Sequence, residues 1–348
     1  MITLANEISN KDFALELQNL NINYYRNCED FRNWVGFFFD INSLDQLTEL
    51  TNSESIDLFP FMPSSAFKHN ELMAVPRNQI IKIIQSSGTS SGIPSKIFLD
   101  KNTSEIMEQR LRIDTNKAIG SERRHLFIAD DRSIFKDRKS YAARGAAIAG
   151  LLKYGKTINF LFEDEKLNLD SLNILKNYHR EETLIIGTTI NIWTKFLPLI
   201  DGINLNLSNT IIIHGGGWKK LEHLNIDNVK FKKGLFEILG VKRSINFFGM
   251  VEHLGSVSYE CVNGNFHVPE SSIFLIKSEA NGAVLDYGAE GLLQVNSILP
   301  NSYPGASIMT DDLGLLLHPK HCNCGNRNPI FEHRGRIKKS EIRGCGGS

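Results

Sequence analysis

Between Ser86 and Lys96 the chain concentrates hydroxyls, two glycines and one lysine in eleven residues: Ser86, Ser87, Gly88, Thr89, Ser90, Ser91, Gly92, Ile93, Pro94, Ser95 and Lys96. Glycines let backbone N–H groups turn toward an anion, hydroxyls add donors, and lysine adds a point charge. A triphosphate is the ligand such a loop suits. Its order is not the G-x-x-x-x-G-K-[ST] of a P-loop, and no helix is expected to open from it. A second chemistry-bearing set is Cys261 and His267 with Cys322 and Cys324. Three thiols and one imidazole are the donors of a closed tetrahedral Zn²⁺ site, whose role would be structural: two sequence-distant pairs clipped together. His253, His321 and His333 stand close enough in sequence to replace His267, so the nitrogen ligand stays open while the sulfurs do not. Near the C-terminus Cys345 sits between Gly344 and Gly346, two residues after Arg343. Flanking glycines make a mobile arm, and the nearby cation favours thiolate.

These residues need elements to position them. Ile80–Ile84 reads as a strand entering the Ser/Gly loop and Lys96–Leu99 as the strand leaving it. A helix follows, with Asn102 or Thr103 as its expected cap and Ile106, Met107, Arg110 and Leu111 at helical spacing. Ahead of the loop, Phe13–Gln18, Tyr24, Tyr25 and Phe31 predict helices, and Phe59–Pro63, with two prolines, predicts an extended connector. From His125 to Ile213 apolar runs alternate with helical patterns, which argues α/β with a largely buried sheet. Gly145, Ala146, Ala147, Ala149 and Gly150 form a small-residue face that suits close helix packing better than the border of an acyl tunnel. After about Tyr259, short strands punctuated by Gly264, Gly282, Gly288 and Gly291 predict a β-rich lobe.

The bulk composition narrows the class. The 348 residues, 41% apolar and 22% charged, are ordinary for a folded globular protein. Lysine plus arginine equals aspartate plus glutamate at 39 each, so no global field draws the chain to nucleic acid or an anionic membrane. No apolar stretch approaches the ~20 residues that span a bilayer. The N-terminus lacks the charged start and apolar run of a secretory signal, which predicts a cytoplasmic location and cysteines that are thiols or metal ligands rather than disulfides.

Other segments, taken in order, carry a resemblance. The Ser86–Lys96 loop resembles the phosphate loop of the adenylate-forming enzymes, the superfamily of acyl-CoA synthetases, luciferases and peptide-synthetase adenylation domains. His214 with Gly215, Gly216, Gly217 and Trp218 resembles the glycine turn that lies against adenine. Phe247, Phe248, Gly249, Met250, Val251 and Glu252 are similar to the aromatic-Gly-x-x-Glu motif, which implies that Phe248 stacks on adenine and Glu252 holds Mg²⁺. Met309–Gly314 resembles the Thr-Gly-Asp motif, with Asp311 where glycine is usual, and implies that Asp312 bonds the ribose hydroxyls. Arg334, Gly335 and Arg336 resemble the hinge, with Arg336 in its arginine position; Lys338 and Lys339 stand where an acidic residue is common. Attack of a carboxylate on a phosphate joins two anions, so cations and N–H donors must surround the phosphates; Lys96, the loop amides and Mg²⁺ would provide them.

Members of the superfamily usually continue into a mobile domain that carries a catalytic lysine, and here that domain is expected to be absent or vestigial. The chain is similar in this to the acyl-protein synthetases of the bacterial luminescence fatty acid reductase, a likeness that extends to Phe59–Lys68. That resemblance implies ATP-dependent activation of a fatty acid as acyl-AMP and transfer to a C-terminal cysteine, here Cys345. A phenylacetate-CoA-ligase-like reaction is the alternative, supported by Cys322–Arg327, which resembles the Cys-x-Cys-Gly-Arg segment of that group, some of whose members bind zinc. A catalytically weak nucleotide- and acyl-binding subunit is the rival of another class. The expected partners are the acid and an acyl-accepting reductase, carrier protein or coenzyme A. The expected fold is the layered α/β large N-terminal domain of adenylate-forming enzymes. It divides into a helical lead-in and connector (1–80), an α/β nucleotide-binding core (81–258), a β-rich lobe with the zinc site (259–335), and a hinge remnant with the cysteine-bearing tail (336–348).

Overall fold

The computed structural model describes residues 10–52, 55–86, 93–135, 140–178, 180–203, 205–216 and 226–337. Its strands, in chain order, are β1 (Met62–Pro63), β2 (Ile80–Gln85), β3 (Lys96–Asp100), β4 (Arg124–Asp131), β5 (Ser140–Ala142), β6 (Gly155–Glu163), β7 (Lys166–Leu167) and β8 (Thr183–Thr188). Then come β9 (Thr210–Gly215), β10 (Arg243–Phe248), β11 (Ser258–Tyr259), β12 (Phe266–His267), β13 (Ser272–Lys277), β14 (Gly291–Ser297), β15 (Ser307–Leu317) and β16 (Ile330–Arg336). They form three sheets. The seven-stranded sheet runs β11-β10-β9-β8-β4-β6-β7, with β10, β9, β8, β4 and β6 parallel and antiparallel strands at both edges.

The parallel strands explain themselves by alternation. Leu126 and Ile128, Leu184 and Ile186, and Ile211 and Ile213 face one layer, where they meet Ile119, Ile148, Leu151 and Tyr154. Phe127 and Ala129, Ile185, and Ile212 face the other, against Leu172, Leu175, Phe196, Phe231 and Leu235. Both faces are covered by helices, so the runs are continuously apolar, as buried parallel strands must be. On the first face Gly150 backs onto the helix Lys101–Ile119: a Cβ there would lie 2.4 Å from Leu111 Cδ2, so close helix packing is what this glycine serves. That helix is capped by Asp100, whose side chain accepts from the Thr103 N–H at 2.8 Å, and neither Asn102 nor Thr103 is its cap. Asp100 ends β3, so one residue closes the strand and opens the helix.

A three-stranded sheet, β3-β2-β5, carries the Ser/Gly segment between antiparallel β2 and β3. The β-rich lobe is the sheet β12-β16-β15-β14-β13, whose core is Val268, Phe274, Ile276, Leu293, Val295 and Phe331. Strand β1, from the proline-containing connector, joins it by pairing parallel to β15, Met62 with Ile308 and Pro63 with Met309. The N-terminal helices α1 (Asn10–Asn27), α2 (Glu29–Phe39) and α3 (Leu44–Leu50) share one core with residues as distant as Ile84, Met107, Val251, Tyr303 and Ile308. They are thus packed against the three-stranded sheet and the β-rich lobe rather than standing apart. Among the described residues no helix is long and apolar enough to cross a membrane.

Candidate active site

The base of the Ser/Gly segment is closed by two reciprocal bonds: the Ser86 N–H donates to the Ser95 carbonyl at 3.0 Å, and the Ser95 N–H donates to Ser86 Oγ at 2.8 Å. Lys96 opens β3 opposite Gln85. Ser87, Gly88, Thr89, Ser90, Ser91 and Gly92 lie outside the described residues, as do Gly217, Trp218 and Cys345.

Ser95 is the residue that sequence reasoning passed over. Its hydroxyl donates to Glu252 Oε1 at 2.5 Å, and both residues are buried. Glu252 is therefore no surface carboxylate. Burial pushes its carboxyl above the usual range, and the Ser95 hydroxyl pulls part of the way back. The Glu252 carbonyl accepts from the Tyr303 hydroxyl at 3.0 Å, which fixes the short helix Val251–His253 from behind.

Asp312 projects from β15 across from Arg336 on β16, its Cα partner in the ladder. Arg336 Nε donates to Asp312 Oδ1 at 2.5 Å, and His333 Nε2 lies 3.4 Å from the same oxygen. Burial would raise the Asp312 carboxyl, but His333 and Arg336 more than offset it and hold the group below the ordinary carboxylate range. Arg336 also acts electrostatically on Glu252, which puts the two acids and the arginine in one field. His333 was weighed from sequence only as a stand-in metal ligand; here it belongs to Asp312 and to Phe248, whose ring is 5.6 Å away.

The glycine turn is set by its neighbour. Gly215, last in β9, pairs with Phe247 of β10, and a Cβ on Gly215 would fall 2.7 Å from that ring. Gly216 follows at φ +96°, where a side chain is strained. Half-buried Phe248 packs on Phe331 at 4.9 Å, and exposed Gly249 follows it. His214, ahead of the turn, is fully buried with Nδ1 2.9 Å from Thr189 Oγ1, and burial pushes its pKa down to about 3, so it is neutral.

A separate cluster stands at the β12 edge of the lobe. One ligand atom each from Cys261, His267, Cys322 and Cys324 lies within 4.8 Å of every other. Cys261 Sγ and Cys322 Sγ are 3.7 Å apart, and Cys324 Sγ is 3.3 Å from His267 Nε2. His267 Nδ1 donates to the Asn328 carbonyl at 2.9 Å, which leaves Nε2 with its lone pair toward the sulfurs. Of the histidines considered, His267 is the one in the cluster; His253 is buried against Phe274, and His321 is exposed.

The comparisons agree with this architecture. A family model described as "Acyl-protein synthetase, LuxE" matches residues 3–348. Comparison with curated proteins gives no match. Among solved structures, an open conformation of 2-hydroxyisobutyryl-CoA ligase in complex with 2-HIB-AMP and CoA is similar at TM-score 0.71 and 16% identity, over 96% of this chain and 76% of that one. ATP-bound MatB from Rhodopseudomonas palustris is similar at TM-score 0.50 and 13% identity, over 76% of this chain and 49% of that one. At these identities the likeness is one of fold, that of the N-terminal domain of adenylate-forming enzymes. With the family match running almost end to end, the chain belongs to the LuxE acyl-protein synthetase family, a family of acyl-adenylate-forming ligases.

Proposed function

We propose that the protein activates a fatty acid with ATP and passes the acyl group to its own Cys345. The supporting observation is the Ser95–Glu252 hydrogen bond, which ties the base of the anion-binding segment to a buried carboxylate in the same field as Arg336 and Asp312. In this reading Lys96 and the loop amides hold the triphosphate, Phe248 and the turn at Gly215 and Gly216 receive adenine, and Asp312 accepts from the ribose hydroxyls. A buried carboxylate whose charge is disfavoured by its surroundings suits a cation partner, so Glu252 would hold Mg²⁺, which supplies positive charge against the phosphates. Arg336, half-exposed beside Asp312, would add a second cation.

The substrate carboxylate oxygen attacks the α-phosphorus and pyrophosphate leaves, giving acyl-AMP. The Cys345 thiolate then attacks the acyl carbonyl and AMP leaves, giving a thioester. The Cys/His cluster takes no part in these steps; Cys261, His267, Cys322 and Cys324 would hold a structural Zn²⁺ that ties the β12 turn to the segment before β16. Incubation with ATP, Mg²⁺ and tetradecanoic acid, followed by intact-mass measurement, should show a hydroxylamine-labile acyl adduct that is lost in Cys345→Ser. Equal acylation of both proteins would remove Cys345 from the role and leave an external thiol, such as coenzyme A, as the acceptor.

A further inference from the structure

Strand β15 offers one edge to β14 and the other to two strands in tandem. The lower part of that second edge pairs with parallel β1, and the upper part with antiparallel β16. The two approach head to head. The Ser64 N–H donates to the Met309 carbonyl and the Ile337 N–H to the Asp311 carbonyl, both bonds being part of the same edge. Two residues of strand separate them, about 7 Å. The chain that continues past Ile337 therefore starts beside Ser64, and on its other side lies the Arg336–Asp312 pair.

Ser64 stands in the chain between Pro63 and Ser65, two lining residues of an open groove of about 390 Å³, within the size range of small-molecule sites. Trp34, Phe37, Phe38, Met62, Pro63 and Ala66 make up its apolar lining, and polar residues such as Asp30 and His69 complete the wall. Phe37 is 81% exposed and Phe38 56%, although neighbouring positions of α2, Phe31 and Val35, are buried in the core. The aromatic wall is anchored at Trp34, whose Nε1 donates to the Phe61 carbonyl at 2.7 Å and whose ring centroid lies 3.7 Å from that of Phe38. Large apolar side chains gathered at the surface mark a binding face.

We infer that this groove is a resting site for the acyl chain carried as a thioester on Cys345. The inference rests on the reading of Cys345 as acyl acceptor. Cys345 is eight residues past Ile337, a reach of up to about 27 Å. A root at Asp311 lets that one arm serve both the Asp312 side, where the acyl group is activated, and the groove, where its hydrocarbon leaves water before transfer to the next acceptor.

The test loads the full chain with ATP, Mg²⁺ and a fatty acid bearing a terminal diazirine, irradiates it, and maps the crosslinked peptides while intact mass reports the Cys345 adduct. Labelling within α2 or Met62–Asn70 that needs ATP and disappears in Cys345→Ser supports the inference. Each methylene lost from contact lowers occupancy by up to about fourfold, so Phe37→Ser combined with Phe38→Ser is expected to cut this labelling by roughly tenfold with Cys345 acylation unchanged. An adduct on Cys345 with labelling confined elsewhere overturns the groove and leaves the acceptor standing. Absence of the adduct overturns both. Undiminished groove labelling in Cys345→Ser shows the site taking free acid, and overturns the arm as its carrier.

Discussion

Replacing Cys324 with serine removes one sulfur from the four-ligand cluster, and the geometry sets what should follow. A tetrahedral centre with Zn–S near 2.3 Å and Zn–N near 2.0–2.1 Å places two sulfurs about 3.8 Å apart and a sulfur about 3.6 Å from a nitrogen. The separations of two ligand pairs, 3.7 Å for Cys261–Cys322 and 3.3 Å for Cys324–His267, are close to these values, and all four ligand atoms lie within 4.8 Å of one another, so a small inward shift would complete the site. The lobe has its own apolar core in Phe274, Leu293, Val295 and Phe331, so zinc would add to a folded unit instead of creating it. With free zinc at a hundred times its dissociation constant the ion contributes about 2.7 kcal/mol, or on the order of 5 °C in thermal midpoint for a chain of this size. Elemental analysis should find one zinc per chain in the parent and in Cys28→Ala, whose buried thiol lies outside the cluster. Cys324→Ser should lack it and melt earlier by that amount, and a chelator should bring the parent down to the same midpoint. Zinc-free parent protein after purification in zinc-supplemented buffer, with a midpoint indifferent to chelator, would refute the assignment.

Two further substitutions test the acidic groups. Glu252 has its carboxyl raised by burial, so the folded state binds that proton more tightly than the unfolded one; its charge costs stability at neutral pH, and the cost fades as pH falls to the ordinary carboxylate range. Glu252→Gln should therefore melt at or above the parent at pH 7.5, lose that advantage near pH 4, and drop roughly a hundredfold or more in acid-dependent ATP–pyrophosphate exchange; a clearly lower midpoint at pH 7.5 would contradict the burial account. Asp312 is held below the usual range, so its pairing stabilises the fold above the unfolded carboxyl pKa and is lost as pH falls through the folded value. Because Arg336 is 42% exposed, solvent screening reduces the pair to about 1–2 kcal/mol. Urea unfolding of Arg336→Met should show that loss at pH 7 and progressively less of it as pH falls below the ordinary carboxylate range, whereas an equal loss at every pH would assign it to packing.

What could be read from the sequence was local pattern and motif order. The apolar runs at Leu184–Ile186 and Ile211–Ile213 became neighbouring buried strands because residues alternating between two covered faces need no tertiary information to be recognised. The Ser/Gly segment fell between two strands as its flanks predicted, and two cysteine-bearing segments separated by 61 residues met at one cluster. Pairings that depend on distant chain were hidden. Nothing near Ser95 signals that its hydroxyl meets a carboxylate 157 residues later, although its place beside Lys96 in the loop was a reason to consider it. The Asp100 cap was overlooked because a strand-ending acid and a helix cap look alike until the helix start is known. The meeting of β1 and β16 at Asp311 depends on β15 presenting one edge to both, a fact of sheet topology with no counterpart in periodicity.

Acid-dependent ATP–pyrophosphate exchange by the intact chain, measured with Mg²⁺ across fatty and aryl acids, tests the central claim most directly. Exchange that requires a fatty acid and falls away in Glu252→Gln is the predicted result, and no acid-stimulated exchange from folded, zinc-loaded protein would contradict it.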